Sequence, residues 1–287
     1  MKLATEKLYA SLKPEQLDPY LFRSPAADSP LPNLFGGQVM AQSLNAAIQT
    51  VPEDRMMHSM HAYFLRPGKP NTPIIFDVDP IRDGGSFTTR RVVAKQNGKA
   101  IFNTSISFMA EEEGFEHQMD MPDVPAPDSL PTDEERKAAF QKANPDFKGL
   151  PNVDKFNVFE IRTNGKLLME AAGEKRDPQL GFWFKTVEPL ANDPIIHQTL
   201  LAYASDFRLM GTSLLPHGVN FYTTNMQAAS LDHALWIHRD FKADEWIYYD
   251  ISGPNAQGGR GLNFGRFFSH DGTLIASTAQ EGLIRLR

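Results

Sequence analysis

The sequence predicts an α+β fold in which one unit, a long buried helix wrapped by an antiparallel sheet, occurs twice in tandem. Three observations predict it: two long strand hairpins, two apolar helical segments, and a proline-rich stretch between the halves. The first hairpin covers residues 84–109 and turns at Asn97-Gly98, and the second covers residues 258–285 and turns at Asp271-Gly272. Asn-Gly and Asp-Gly suit two-residue hairpin turns because both central residues need φ > 0.

The two hairpins keep the same internal register. Their glycine pairs, Gly84-Gly85 and Gly258-Gly259, are 174 residues apart (258 − 84), as are the two turns (272 − 98). We expect each glycine pair to bend or bulge a strand. Upstream, residues 61–67 match residues 234–240 at an offset of 173 (236 − 63). A period this long indicates a duplicated domain rather than a solenoid repeat.

A helical segment precedes the strands of each half. Residues 37–46 match residues 197–206 at an offset of 160 (197 − 37). The second helix is expected to begin at Asp193-Pro194, because Asp is a good N-cap and Pro is tolerated at the first helical position. Its residues are apolar nearly all round, so both helices are expected to lie inside the sheet.

The join between the halves predicts the domain organisation. Between residues 111 and 155 the alternation of apolar and polar residues disappears, and prolines and charge runs become frequent. We expect an N-terminal half over residues 1–115, a linker over 116–155 with one short helix at 132–143, and a C-terminal half over 156–287.

Composition describes a globular chain of 287 residues, with 41% hydrophobic and 22% charged residues and a net charge of −6. The negative charge, with no cluster of Lys and Arg, argues against nucleic-acid binding. No apolar stretch is long and uninterrupted enough to insert into a membrane. The absence of cysteine excludes disulfides, thiolate nucleophiles and zinc–thiolate sites. With no signal-peptide pattern at the start, we expect a cytoplasmic protein.

A buried helix wrapped by an antiparallel sheet is the hot-dog arrangement, and six segments resemble one family that carries it twice. These segments are residues 35–38, 58–68, 114–118, 203–206, 231–239 and 280–282. Over nearly its whole length the chain resembles the acyl-CoA thioesterase II family of double hot-dog proteins. The resemblance implies a hydrolase that converts fatty acyl-CoA to free fatty acid and CoA, needs no cofactor or metal, and assembles into a homodimer or homotetramer.

The resemblance also implies that Asp206, Ser230 and Gln280 activate the hydrolytic water. The family usually has Thr where this chain has Ser230, but the hydroxyl is retained. A carboxylate can take the proton of water while a hydroxyl and an amide orient that water. Without the resemblance, Asp206 is as readily interpreted as a partnered structural carboxylate as a catalytic one. Residues such as Ser230 and Gln280 are then more often ordinary loop and surface residues.

His58 and Gly37 are the secondary candidates. His58 and His61 are interpreted as sharing one face of a strand, where they could ligate a metal, but no third ligand follows at a useful spacing. Hydrogen-bonded structural histidines are the favoured interpretation, here and for His233 and His238. His58 remains the alternative general base because its unperturbed pKa lies near neutrality.

Gly36-Gly37 precedes the first helix and permits a close approach of the backbone. It could offer N–H groups to a thioester oxygen or a phosphate, or simply make the turn into the helix.

Two other functions fit a hot-dog fold: hydration or dehydration of acyl thioesters, and non-catalytic acyl-CoA binding. A lyase needs a base over the α or β carbon of the substrate, and a binding module needs no convergent polar set. The repeat also aligns Asp206, Ser230 and Gln280 with apolar residues of the first half, which are Ala46, Met57 and Ile106. We therefore expect one catalytic site per chain.

Overall fold

A computed structural model describes residues 4–26, 32–147, 157–221 and 224–287. The first half and the segment after it contain α1 (Ala4–Leu12), β1 (Glu15–Asp18), β2 (Leu21–Ser24), α2 (Gly36–Ile48), β3 (Met56–Phe64), β4 (Ile74–Asp83), β5 (Phe87–Gln96), β6 (Lys99–Met109), a 3₁₀ turn (Pro127–Ser129) and α3 (Asp133–Ala143). The second half contains β7 (Phe159–Asn164), β8 (Gln179–Thr186), α4 (Pro194–Ala204), a 3₁₀ helix (Met210–His217), β9 (Met226–Ser230), β10 (Asp232–Ile237), β11 (Ile247–Gln257), β12 (Arg260–Ser269) and β13 (Leu274–Leu286).

All strands of the described residues belong to one antiparallel sheet. Its order is β1-β2-β4-β5-β6-β3-β10-β13-β12-β11-β8-β7, and β9 pairs with β13 beside this path. The two halves meet where β3 pairs with β10, with His61 opposite Ala234. The predicted α+β tandem hot-dog fold is therefore confirmed, and its two sheets form one continuous surface.

The strand registers repeat at the offsets seen in the sequence. Phe22 of β2 lies opposite Phe76 of β4, and Phe182 of β8 lies opposite Tyr249 of β11. These two pairs are related by 160 residues in one strand (182 − 22) and 173 residues in the other (249 − 76). The offset of 160 is also the offset of the helices, so the duplication is carried by the strand pairing as well as by the sequence.

The helices α2 and α4 pack against each other inside the sheet. Ten of the thirteen residues of α2 are buried, and the Asn45 side chain donates to the Thr199 hydroxyl at 3.1 Å across the helix pair. The Asp193 carboxylate accepts from the N–H of Ile195 at 2.9 Å and caps α4, with Pro194 as its first residue. The predictions of the start of α4 and of both buried helices are confirmed.

One predicted turn is confirmed, whereas the two glycine pairs differ from expectation. Asn97 and Gly98 both have positive φ, 48° and 73°, and form the expected two-residue turn. Gly258 and Gly259, at φ of 58° and 74°, form a second such turn between β11 and β12, so the expected strand bend was wrong. Gly84-Gly85 likewise lies in the loop between β4 and β5.

The Asp271-Gly272 segment is a four-residue loop rather than a two-residue turn. Only Gly272 has positive φ, at 88°. The Asp271 carboxylate instead accepts hydrogen bonds from the Ser269 hydroxyl and the Thr273 N–H. A carboxylate that bonds to its own loop in this way stabilises a wider turn than φ preference alone would predict.

The predicted short helix of the linker is confirmed as α3, and it docks onto the second half. Thr132 and Glu135 form a capping box at its start. The buried Asp133 carboxylate accepts from the N–H and hydroxyl of Thr163 in β7 and pairs with Arg208. The boundaries of the halves stay predictions, and the end of the linker lies outside the described residues.

None of the helices in the described part of the chain is long and apolar enough to cross a lipid bilayer.

Asp133 provides the first testable prediction. Burial alone would raise the pKa of Asp133, but Arg208 and the hydrogen bonds from Arg208 and Thr163 together lower it. Asp133→Asn leaves Arg208 without its counter-charge, so we expect the free energy of unfolding to fall by roughly 3 kcal/mol. Chemical denaturation near neutral pH measures this loss. Glu134→Gln, at an exposed position of the same helix, should change little, and equal stability of the two variants would contradict the anchoring role.

Candidate active site

Asp206 lies where the C-terminus of α4 meets the N-terminus of α2. It is the second residue after Ala204, the last residue of α4. Its Oδ2 atom accepts a hydrogen bond from the N–H of Gly37 at 3.1 Å. A carboxylate at this end of a helix is favoured, because the first N–H groups are unpaired and the helix dipole is positive there.

The glycines at the start of α2 make this approach possible. A Cβ atom on Gly37 would lie 2.2 Å from the carbonyl oxygen of Tyr203, and one on Gly36 would lie 2.7 Å from Oδ2 of Asp206. Both distances are shorter than non-bonded atoms allow. Of the interpretations offered for Gly36-Gly37, close backbone approach is thus observed, and the N–H of Gly37 is directed at Asp206.

The other two primary candidates contact the same carboxylate. The Gln280 Nε2 atom donates to Oδ1 of Asp206 at 2.7 Å, and the Ser230 hydroxyl reaches the same oxygen at 3.5 Å. Gln280 lies in β13 and Ser230 ends β9, where it pairs with Gly282. Groups from one helix and two strands therefore meet at a carboxylate that lies just beyond the end of a second helix.

His233 of β10 is a further member of this cluster; the sequence analysis interpreted it as a hydrogen-bonded structural histidine and did not place it beside Gln280. The residue is 1% exposed. Its Nδ1 atom lies 3.2 Å from Nε2 of Gln280, and its Nε2 atom lies 3.0 Å from the hydroxyls of Ser205 and Thr278. The only available signal was its position two residues after Leu231, within a segment shared with the family.

The Gln280 amide is enclosed by protein. Its Nε2 group contacts both Asp206 and His233, which accounts for both of its hydrogens. Its Oε1 atom is buried and has no hydrogen-bond partner among the described residues. In this arrangement the amide holds the carboxylate in place and does not open onto solvent.

Burial raises the pKa of Asp206 to about 6, although hydrogen bonds from Gln280, Gly37 and Ser230 act in the opposite direction. Burial also lowers the pKa of His233 to about 3, so this ring is neutral at physiological pH. Tyr249, whose hydroxyl donates to the carbonyl oxygen of Ser205 at 2.7 Å, has its pKa raised by burial and by Asp206. A carboxylate with a pKa near 6 is ionised at pH 7 and still basic enough to accept a proton from water.

His58 lies on the outer face of the sheet, away from the helices and from Asp206. It lies three positions before His61, so a regular strand would point the two rings to opposite faces. An irregularity in the β3–β6 register between Met57 and Ser59 changes this. His58 bonds to the Ser107 hydroxyl at 2.8 Å and packs against the exposed ring of Phe87, on the outer face.

The environment of His58 differs from that of a general base near substrate. Burial, and secondarily His61, lowers the pKa of His58. No contact with Asp206, Ser230 or Gln280 is present in the described structure, so the ring is not brought into their cluster.

The positions of the first half that match Asp206, Ser230 and Gln280 are apolar and buried. Ala46 and Ile106 are 0% exposed, and Met57 is 2% exposed. A separate cleft of about 810 Å³ opens at the start of α4 and contains His197, the counterpart of Gly37. None of the candidate catalytic residues lines that cleft. Within the described ranges, no group of three His, Cys, Asp or Glu side chains could hold a metal ion.

Comparison with known proteins identifies the family of this chain. Residues 154–283 match the family model described as acyl-CoA thioesterase, and residues 27–109 match the model of the acyl-CoA thioesterase N-terminal domain. The chain is 44% identical over 277 residues to acyl-CoA thioesterase 2 of Haemophilus influenzae, covering 96% of this chain and 95% of that protein. It is 38% identical to human acyl-coenzyme A thioesterase 8, covering 95% and 87% of the two chains.

A solved structure extends the match to three dimensions. The acyl-CoA thioesterase II of Mycobacterium marinum is 38% identical, superposes with a TM-score of 0.81, and covers 98% of both chains. The chain therefore belongs to the acyl-CoA thioesterase family, and the predicted family is confirmed.

Gly37 provides the second prediction. In Gly37→Ala the new methyl group meets a backbone oxygen, so α2 and α4 have to separate and the Asp206 carboxylate loses its fixed position. We expect at least about tenfold loss of thioesterase activity and a loss of about 1–3 kcal/mol in stability. Gly85→Ala is the matched control, because a Cβ at Gly85 meets nothing within 4 Å. An active, fully stable Gly37→Ala enzyme would contradict the close-approach requirement.

Proposed function

We propose that this chain hydrolyses acyl-CoA thioesters with Asp206 as the general base that activates water. One observation carries the proposal: a partly buried carboxylate with a pKa of about 6 is held by an amide, a hydroxyl and a backbone N–H. Such a group can take a proton at neutral pH without a metal or a covalent nucleophile.

The reaction balances with water as the only co-reactant. Asp206 takes one proton from water while the water oxygen forms a bond to the thioester carbonyl carbon. The tetrahedral intermediate then collapses, the carbon–sulfur bond breaks, and the departing CoA sulfur takes up the proton held by Asp206. The products are a carboxylic acid and CoA, and the base is regenerated.

The neighbouring groups have distinct roles in this proposal. Ser230 orients the attacking water from the side of Oδ1, since its hydroxyl can both donate and accept. Gln280 is a positioning residue, because both of its N–H bonds go to protein groups. The N-terminus of α2 supplies a positive potential near the developing oxyanion.

The polar cluster favours hydrolysis over the other functions considered. A dehydratase needs its base next to the α or β carbon, whereas the groups around Asp206 suit the binding of a water molecule. A non-catalytic binding module would gain nothing from burying a carboxylate at this cost.

We further propose a homo-oligomer and a cytoplasmic location. Support for assembly comes from large side chains exposed on the outer face of the sheet: Tyr63, Phe87 and Phe264 are 60%, 41% and 46% exposed. Exposed aromatic side chains on one sheet face favour protein contacts.

Asp206→Asn should lower kcat for a fatty acyl-CoA by at least about a hundredfold, because an amide cannot accept the proton. In the unaltered enzyme kcat/KM should rise with pH through about 6 and then level off, since Asp206 must be ionised. Release of free thiol from decanoyl-CoA, measured between pH 5 and 8, tests both statements. Circular dichroism checks that the variant is folded.

His58→Ala is the control for this assignment. Its ring contacts Ser107 and Phe87 on the outer face, so the variant should retain most activity. If a folded His58→Ala protein were less active than a folded Asp206→Asn protein, the base would be misassigned.

We also predict one catalytic site per chain, because Ala46, Met57 and Ile106 can neither orient water nor accept its proton. Calorimetric titration with a non-hydrolysable acyl-CoA analogue should give one productive ligand per chain. Asp206→Ala should abolish turnover rather than halve it. Two equivalent ligands per chain, or half of the activity surviving, would contradict a single site.

A further inference from the structure

His233 contacts the same Nε2 group of Gln280 that donates to Asp206, and it has no part in the proposed proton transfer. We infer that His233 is a positioning residue, whose Nδ1 atom holds the Gln280 amide with its NH₂ group toward Asp206. The inference rests on the proposed roles of Asp206 and Gln280 and extends them to a buried ring that never meets the substrate.

Two backbone carbonyls determine how the ring is protonated. The Thr278 Oγ1 atom lies 2.6 Å from the carbonyl oxygen of Ala234, and the Ser205 Oγ atom lies 2.9 Å from that of Ala202. A carbonyl oxygen only accepts, so these contacts are attractive only when each hydroxyl hydrogen points at the carbonyl. Both hydroxyls are then left as acceptors toward His233.

The tautomer of His233 follows from this. Its Nε2 atom lies 3.0 Å from each hydroxyl oxygen, so Nε2 carries the hydrogen and donates. A neutral imidazole has one donor and one acceptor nitrogen, and Nδ1 is therefore the acceptor. The group 3.2 Å from Nδ1 has to be a donor, which is the NH₂ group of Gln280.

The same nitrogen of Gln280 contacts Asp206, so the His233 ring determines that the NH₂ group, and not the amide oxygen, faces the carboxylate. With NH₂ facing both partners, Asp206 gains a hydrogen bond that favours its ionised form. In the flipped amide, Oε1 would face the lone pair of His233 and the carboxylate oxygen. Toward Asp206 that arrangement is tolerable only when the carboxyl group is protonated, so a freely flipping Gln280 would raise the pKa of Asp206 and leave less of it ionised near neutral pH.

Two titratable side chains of the described residues interact with Asp206 or with its partner Gln280, and both are uncharged at neutral pH. Tyr249 approaches from β11, and His233 lies beyond Gln280 on β10. α2 and β9 contribute Gly37 and Ser230, neither of which titrates. Burial therefore raises the pKa of Asp206, and within the described residues the hydrogen bonds from Gln280, Gly37 and Ser230 are what lower it.

Two substitutions separate this role from a purely structural one. His233→Asn keeps an oxygen acceptor near the position of Nδ1, whereas His233→Gln reaches the two hydroxyls but leaves Gln280 without an acceptor. For His233→Gln we expect the acid limb of kcat/KM to move up by about one pH unit, the size expected from loosening one hydrogen bond to a carboxylate. Activity would then fall about fivefold at pH 6 and less than about twofold at pH 8. His233→Asn should keep the original limb.

His238→Asn and His238→Gln are the matched controls. His238 bonds to Ser277 at 2.9 Å outside the cluster, so neither change should move the pH profile. An equal loss of activity at every pH in both His233 variants would show that His233 is only a structural residue, which contradicts the inference. An unshifted limb in folded His233→Gln would overturn the inference.

Two further measurements keep the outcomes distinct. Long-range proton–nitrogen NMR on the unaltered protein, labelled with ¹⁵N-histidine and with the His233 ring assigned, should find that ring in the Nε2–H tautomer, with no titration down to pH 5. An Nδ1–H tautomer at His233 would overturn the inference even if the variants failed to fold. Asp206→Asn is assayed alongside: if it stays active the proposed function fails, and if it is dead while His233→Gln is unchanged, only this inference fails.

Discussion

The close contact between the N-terminus of α2 and the C-terminus of α4 is the constraint on which the rest of the structure depends. Tyr203 presents a carbonyl oxygen so near to Gly37 that only a residue without a side chain fits. This contact brings Asp206 within 3.1 Å of a helix N–H group and removes it from most of the solvent. Burying a carboxylate is unfavourable, and the N-terminus of α2 offsets part of that cost.

Side chains on two strands offset a further part of the cost of burying this carboxylate, but they do not offset all of it. Gln280 and Ser230 reach one carboxylate oxygen, while burial still leaves the pKa of Asp206 at about 6. Full compensation would produce a stable anion that is a weak base, and no compensation would produce a neutral acid. The donors present hold the group between these limits, which is where proton transfer near neutral pH is efficient.

The helix start and the hairpin turn that depend on adjacent residues could be predicted from the sequence. Asp193 caps α4 and Asn97-Gly98 turns a hairpin, because both effects depend on adjacent residues. His58 faces outward through an irregular register, and its orientation depends on a neighbouring strand. The meeting of Asp206 with Gln280 came only from the family resemblance. His233 was expected to be hydrogen-bonded, but its partners could not be predicted because they lie at the end of α4 and on β13, far away in sequence.

The site takes Gly37 from one half and Asp206 from the other, and the two halves are parts of a single chain. If two identical short chains paired in this way, every substitution would appear at both of their sites at once. Fusion into one polypeptide removes that symmetry requirement. One copy is then free to exchange polar groups for Ala46, Met57 and Ile106, which fill the core, without any change in the chemistry at the other end of the helix pair. Covalent linkage therefore allows an asymmetry that a dimer of identical chains cannot have.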